Sequence, residues 1–259
     1  YCAYPELRVS GGKGAAIRWD WAECLTGSDG RKGDRAACDG LDMHRPFGDV
    51  FRCDGRVLAR FTTPWWRCGR WCRLTIRTAA EPLTLDGTAI VETRYPAELV
   101  ASFACDDPLV MRLQPICARS LQMCMHEMFF DCPYYEQQMY PGDSRVQYLV
   151  SGLFDTEDRI VRNAITLFDA DRRENGLIPM NCPTRGTQDA LGFTECAAMM
   201  LGDYAWQHTN MDWLKARLPG LNHTLMGLET YANADGLLGK TPGWNFVDWV
   251  PEWKMKGEE

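Results

Sequence analysis

The chain has 259 residues, 46% hydrophobic and 24% charged, with a net charge of −7. These are the proportions of a globular protein long enough for one large domain or two moderate ones. The acidic balance, with a pI near 5.2, excludes a basic nucleic-acid surface, and no run of eighteen apolar residues offers a membrane span. The chain opens at Tyr1 without Met and without the charged-then-apolar segment of a signal peptide. Its first residues already read as strand and turn, so a fragment is expected.

Residues 1–100 read as a β-rich module. The stretches ELRVS, AAIRWDWAE, WCRLTIRT and LTLDGTAIVETRY alternate or mix β-branched and aromatic residues between Gly, Asp and Pro turns. The glycine-rich, charged segment from Thr26 to Phe47 has no period and reads as a long loop. Trp65, Trp66 and Trp71 cluster in PWWRCGRW. Indoles in that setting fill the core between two sheets, or offer a platform on which a sugar ring stacks. An antiparallel β-sandwich is expected.

The pattern changes between Tyr95 and Asp107, and residues 101–259 read as helical. Asp106 or Asp107 can cap a helix that Pro108 opens. Leu109, Leu113, Ile116, Cys117, Leu121 and Cys124 then recur at three or four. A second helix carries Val146, Leu149, Val150, Leu153 and Phe154, apolar on more than one side and expected to be buried. A third runs from Arg159 to Arg172, with Gly176 beyond it as a left-handed cap. The fourth covers Phe193–His208 and the fifth Met211–Tyr231, where Pro219 and Gly220 predict a split or kink. Loops lie at 126–145, 177–190 and 233–253. Those rich in acids or rings follow alternate helices, which fits hairpins stacked in a toroid with one functional rim.

The twelve cysteines are dispersed, with no C-x-x-C and no paired Cys/His spacing. No zinc site is expected. A chain of this length does not need disulfide staples, so the thiols read as reduced. A cytoplasmic setting is expected rather than a secreted one. His126-Glu127 is not a metal motif either, because Phe130 stands where H-E-x-x-H needs its second His.

Chemistry concentrates between His126 and Arg145, HEMFFDCPYYEQQMYPGDSR. Glu127, Asp131, Glu136 and Asp143 lie among Phe129, Phe130, Tyr134, Tyr135 and Tyr140, and Pro133 and Pro141 break the helical pattern. Cleaving a sugar–oxygen bond needs such company: one carboxyl protonated to serve the leaving oxygen, others ionised, and rings that displace water. The rings beside Glu136 are expected to exclude water from it. Asp143, just before SRVQYLV, could also be an N-cap, Arg145 could pair with an acid of the same loop, and Cys132 reads as a structural thiol.

The run Asp131-Cys132-Pro133-Tyr134-Tyr135-Glu136-Gln137, followed by Gly142-Asp143 and Arg145, resembles the signature of family 78 glycoside hydrolases, the α-L-rhamnosidases. That pattern is roughly D-C-P-x-R-E-x-x-x-W-x-G-D, and its three acids keep their spacing here. Tyr135 stands where arginine is usual and Tyr140 where tryptophan is common. The resemblance implies β-sandwich modules followed by an (α/α)6 barrel, of which residues 101–259 would be the first half. It implies an inverting hydrolase that releases terminal α-L-rhamnose from a glycoside or polysaccharide without a cofactor. Glu136 would be the general acid, with Asp131 and Asp143 holding sugar hydroxyls and facing positive charge on the ring. Trp244, Asp248 and Trp249 would wall the sugar pocket with Tyr135 and Tyr140, and Glu127 would be a further sugar contact. The family's base lies in a later barrel loop, beyond residue 259; within the chain, Asp248 and Glu252 are the carboxylates to consider. Two alternatives stay open: a carbohydrate-binding protein without activity, and a six-hairpin glycosidase acting on another sugar.

Overall fold

The computed structural model describes residues 1–155, 158–186, 188–241 and 243–250. The chain divides into two compact units. The first holds Tyr1–Arg94 with Pro133–Tyr135, and the second holds Tyr95–Cys132 with Glu136 onward.

The first unit is built on two antiparallel sheets. In one, the strand Cys2–Gly11 is central. Leu83–Glu92 runs along one side of it, and Ala59–Thr62 and Arg67–Cys68 along the other. In the second, Ala16–Ala22 lies between Phe47–Arg52 and Trp71–Arg77. Strand side chains alternate between faces. Leu7 and Val9 of the first sheet therefore meet Ile17, Trp19 and Trp21 of the second, with Phe51, in one buried cluster. Each such side chain contributes about 1.5–3 kcal/mol on burial. This is the expected sandwich. Trp66 is buried, whereas Trp65, stacked on it at 5.6 Å, is 37% exposed. The indole cluster is thus partly core. The expected loop from Thr26 to Phe47 is mostly turns, with Asp42–Met43 pairing back on Leu25–Thr26.

The second unit carries helices α1 (Pro108–Cys124), α2 (Pro141–Ser151), α3 (Arg159–Ala170), α4 (Leu191–Gln207), α5 (Met211–Lys215) and α6 (Leu218–Glu229). One short antiparallel ladder, Glu98–Leu99 with Phe154–Asp155, belongs to it and draws the residues from Tyr95 into this unit. Asp107 caps α1, its carboxylate accepting from Leu109 N at 2.8 Å, and Pro108 occupies the first turn. The expected fifth helix is two, parted at Ala216–Arg217. Pro219 is tolerated because it falls in the first turn of α6.

α2, α3 and α4 share a core in which Tyr148, Ile160, Val161, Ala164, Phe168, Met200 and Tyr204 are buried. The apolar face expected of α2 is not buried: Val146 is 62% exposed, and Leu149 and Val150 are also open. α4 packs on the side that presents Ser144, Tyr148 and Ser151 instead. Gly176 is left-handed, with φ +83°, but α3 already ends at Ala170 with Asp171 as its cap. Its lack of Cβ serves a close approach to α6, because a Cβ would stand 2.3 Å from His223 O.

Candidate active site

The loop between α1 and α2 is fastened at both ends by apolar anchors. Phe129, Phe130 and Met139 are buried, and the Gln147 amide of α2 donates to Phe130 O at 2.7 Å. Between these anchors the chain folds back on itself. Asp131 N donates to Gln138 O at 2.8 Å, and Asp131 Oδ1 accepts from Gln138 N at 3.0 Å. Gln137 sits at φ +52° to close this turn, and Glu136 N donates to the Cys132 sulfur at 3.4 Å. The thiol is a strut of the loop, as the sequence suggested. Pro141 then opens α2.

Asp143 is therefore not the cap of α2. Tyr140 holds the cap position, and Asp143 lies in the first turn, because Pro141 starts the helix two residues before it. Arg145 pairs not within the loop but with Asp203 of α4, at 2.8 Å, since its place on α2 faces that helix.

One concavity of about 650 Å³ collects residues from three loops and two helices. The α1–α2 loop supplies Asp131, Glu136 and Tyr140, and α2 supplies Asp143 and Gln147. The α3–α4 loop supplies Met180 and Gln188, and α4 supplies Phe193. The segment after α6 supplies Trp244, Phe246, Asp248 and Trp249. About a hundred residues of sequence thus separate the acids from the indoles that share their cavity. The rings form a continuous wall: Tyr140 against Phe193 at 6.0 Å, Phe193 on Phe246 at 6.1 Å, and Phe246 on Trp244 at 4.2 Å. The wall segment is held by Trp244 N donating to Asp189 O, while Arg173 fixes the Asp189 carboxylate at 2.7 Å.

Two expected sugar contacts lie elsewhere. Tyr135 is 52% exposed, packs edge-on against Tyr134 at 4.8 Å and does not line the cavity. Pro133–Tyr135 goes with the first unit, where the Tyr134 hydroxyl donates to Trp21 O and Arg45 O at 2.9 Å each. Glu127 is exposed and also off the cavity; its backbone carbonyl accepts from the Asn163 amide. Glu252 lies outside the described residues.

The electrostatics separate the acids. Glu136 is exposed, so the expected shielding by its flanking rings is not realised. Its partner is Tyr140, whose hydroxyl donates to Glu136 Oε2 at 2.6 Å. Burial first, then that bond, push the Tyr140 phenol well above its ordinary range, so it stays a donor. The Asp143 carboxyl is pushed up. Burial is the main cause, opposed by a backbone hydrogen bond and reinforced by the negative charges of Asp131, Glu136 and Asp248. Asp131, Cys132 and Glu136 bring donor atoms within 4.8 Å of one another. These three side chains also accept from Gln138 N, Glu136 N and the Tyr140 hydroxyl, and so brace the loop.

Sequence reasoning did not single out Met180, Gln188, Phe193 or Phe246. The α3–α4 loop carries two prolines but no cluster of acids and rings, Phe193 is a single ring at the start of a helix, and Phe246 is overshadowed in sequence by the tryptophans on either side of it. Spacing alone cannot separate a wall residue of that kind from core.

Residues 98–259 match the family model described as the bacterial alpha-L-rhamnosidase six-hairpin glycosidase domain. The chain belongs to that family. Among solved structures, a family 78 rhamnosidase of Bacillus sp. GL1 shares 26% identity, with TM-score 0.80 over 96% of this chain and 25% of that one. A rhamnosidase from Klebsiella oxytoca with rhamnose bound shares 18% identity, with TM-score 0.69 over 94% of this chain and 49% of that one. The Streptomyces avermitilis alpha-L-rhamnosidase complexed with L-rhamnose shares 17%, with TM-score 0.67 over 90% of this chain and 22% of that one. The chain thus spans from about a fifth to a half of these relatives. Comparison with curated protein sequences gives no match. Among the described residues, no helix is long and apolar enough to cross a membrane.

Proposed function

We propose that the protein carrying this chain hydrolyses terminal α-L-rhamnosides, from small glycosides or polysaccharides, with inversion at the anomeric carbon. The observation that carries this reading is the convergence of Asp131, Glu136, Asp143 and Asp248 on one ring-walled concavity. Family membership supports the reaction class. The proximity of four carboxylates gives the means to hold hydroxyls and to face the positive charge that develops on the sugar ring. The apolar wall of Tyr140, Phe193, Phe246 and Trp244 suits the C–H face and methyl group of a deoxy-sugar.

In this mechanism Glu136 gives its proton to the leaving oxygen. It lines the cavity and is exposed, so an aglycone of variable size can leave from it toward solvent. Tyr140 keeps one carboxylate oxygen occupied, leaving the other to carry the proton. Asp131 has one oxygen committed to Gln138 N and one available to a sugar hydroxyl. Asp143, whose carboxyl burial pushes up, lines the same cavity and can hold a second sugar hydroxyl. Inversion needs a second carboxylate to activate water on the opposite ring face, about 6.5–9.5 Å from the acid. Asp248 is the carboxylate of this chain to test for that role first.

The test is hydrolysis of an aryl α-L-rhamnoside, with the anomer of the first-formed product followed by proton NMR. The β-anomer is expected, and the α-anomer would exclude inversion. Glu136→Gln keeps the shape but cannot donate a proton, so a loss of roughly 10²–10⁴-fold is expected on substrates with poor leaving groups. Turnover of another aryl glycoside in place of the rhamnoside would reassign the sugar. Saturable binding of rhamnose without any turnover would leave a binding protein.

A further inference from the structure

The first unit brings two thiols face to face. The strand Arg67–Cys68 runs antiparallel to Cys2–Gly11, and Cys2 is the register partner of Cys68. The hydrogen bonds fix which kind of pair this is. Tyr1 and Gly69 exchange both backbone bonds, at 3.0 Å each, so the adjacent pair, Cys2 with Cys68, is the non-hydrogen-bonded one. Cys2 turns its own carbonyl the other way, where it accepts from Thr93 N at 2.9 Å. In a non-hydrogen-bonded pair the Cα atoms lie about 4.5 Å apart and the side chains project to the same face. That separation falls at the short end of the roughly 4.4–6.8 Å range a disulfide spans. Among the described residues, no other two cysteines are partners in a strand ladder.

We propose that Cys2 and Cys68 form a thiol–disulfide site, closing to a cross-strand cystine by exchange with a small disulfide such as oxidised glutathione. The reaction is balanced by that one co-reactant. The Cys68 thiolate attacks one sulfur of the small disulfide and expels one thiol. The Cys2 thiolate then attacks the Cys68 sulfur of the mixed disulfide and expels the second. Two protein thiols are oxidised, one small disulfide is reduced to two thiols, and the protein protons end on those thiols. Cys68 is the better first attacker, because a hydrogen bond with Cys2 draws its thiol below the ordinary range in spite of burial. Both sulfurs are buried, so the first step takes place when the two-residue strand Arg67–Cys68 lifts from its neighbour. Excess small thiol is expected to reverse both steps and return the cystine to two thiols. The site thus cycles between thiols and cystine, in keeping with the reduced state expected from the sequence.

The experiment is disulfide mapping of the folded chain. The chain is held in mixtures of reduced and oxidised glutathione, quenched with acid, alkylated, digested and read by mass spectrometry. The expected result is one intrachain link, joining the peptides of Cys2 and Cys68, that excess dithiothreitol removes. The exposed thiols Cys38, Cys72, Cys105 and Cys117 should carry only glutathione or alkylating reagent. Cys2→Ala should leave Cys68 as a mixed disulfide with no link. The proposal is overturned if both sites still alkylate after the exposed thiols have reacted, if either links to another cysteine, or if the link forms only in urea. The mapping of the unsubstituted chain decides the matter even if Cys2→Ala fails to fold.

Discussion

Tyr140→Phe isolates one hydroxyl at the candidate site. The phenylalanine ring keeps the packing on Phe193 at 6.0 Å, and only the 2.6 Å bond to Glu136 Oε2 is lost. While Glu136 holds its proton, that bond joins two neutral groups and contributes about 0.5–1.5 kcal/mol. As the proton leaves, the acceptor becomes a carboxylate and the bond is worth about 1.5–3 kcal/mol. The difference, which appears only as the proton is transferred, is about 1 kcal/mol for an acid as exposed as Glu136. One kcal/mol in the barrier is roughly a fivefold change in rate. The loss should depend on the leaving group, because nitrophenolate departs with little protonation and an alkoxide needs nearly all of it. In the complete protein, Tyr140→Phe should lower kcat/KM about fivefold on an alkyl α-L-rhamnoside and less than about twofold on the 4-nitrophenyl rhamnoside. Equal losses on both substrates would mean that the hydroxyl binds the sugar instead. An unchanged rate on the alkyl substrate would mean that the bond does not act on the proton at all.

Two further predictions concern stability. The folded state holds the Asp143 carboxyl above its ordinary value of 3.8, so above pH 3.8 it binds more protons there than the unfolded chain does. Stability is therefore lost as pH rises through that window, and Asp143→Asn should melt higher at pH 7, by roughly 2–4 °C for each kcal/mol recovered, with no gain below pH 3.8. Equal melting at pH 7 would show that the cluster of acids costs the fold nothing. Phe168→Ala, at the buried centre of the helical core, should cost about 3–5 kcal/mol in denaturant titrations that follow the second unit; a loss below about 1 kcal/mol would mean the site collapses around the cavity.

Much of this protein is determined locally and was legible before any coordinates. The alternation in Cys2–Gly11 and Ala16–Ala22 set the inward faces of the sandwich, because side chains on a strand change sides at every residue. Asp107 and Pro108 marked the start of α1 through chemistry confined to one turn. The spacing of Asp131, Glu136 and Asp143 identified the loop on which the acids sit. Long-range packing decided the rest. Which side of α2 is covered depends on where α4 lies, and a pattern apolar on more than one side cannot say. Arg145 finds Asp203, 58 residues on, rather than an acid nearby. Tyr135 and Glu127 differ little in sequence context from Tyr140 and Glu136, yet only the latter pair lines the cavity; Tyr135 goes with the first unit, where the Tyr134 hydroxyl is tied to Trp21 O and Arg45 O. The charge state of the acids is also a tertiary property. Burial first, then the negative charges of Asp131, Glu136 and Asp248, push the Asp143 carboxyl up, and burial and those distances are not encoded in any local spacing.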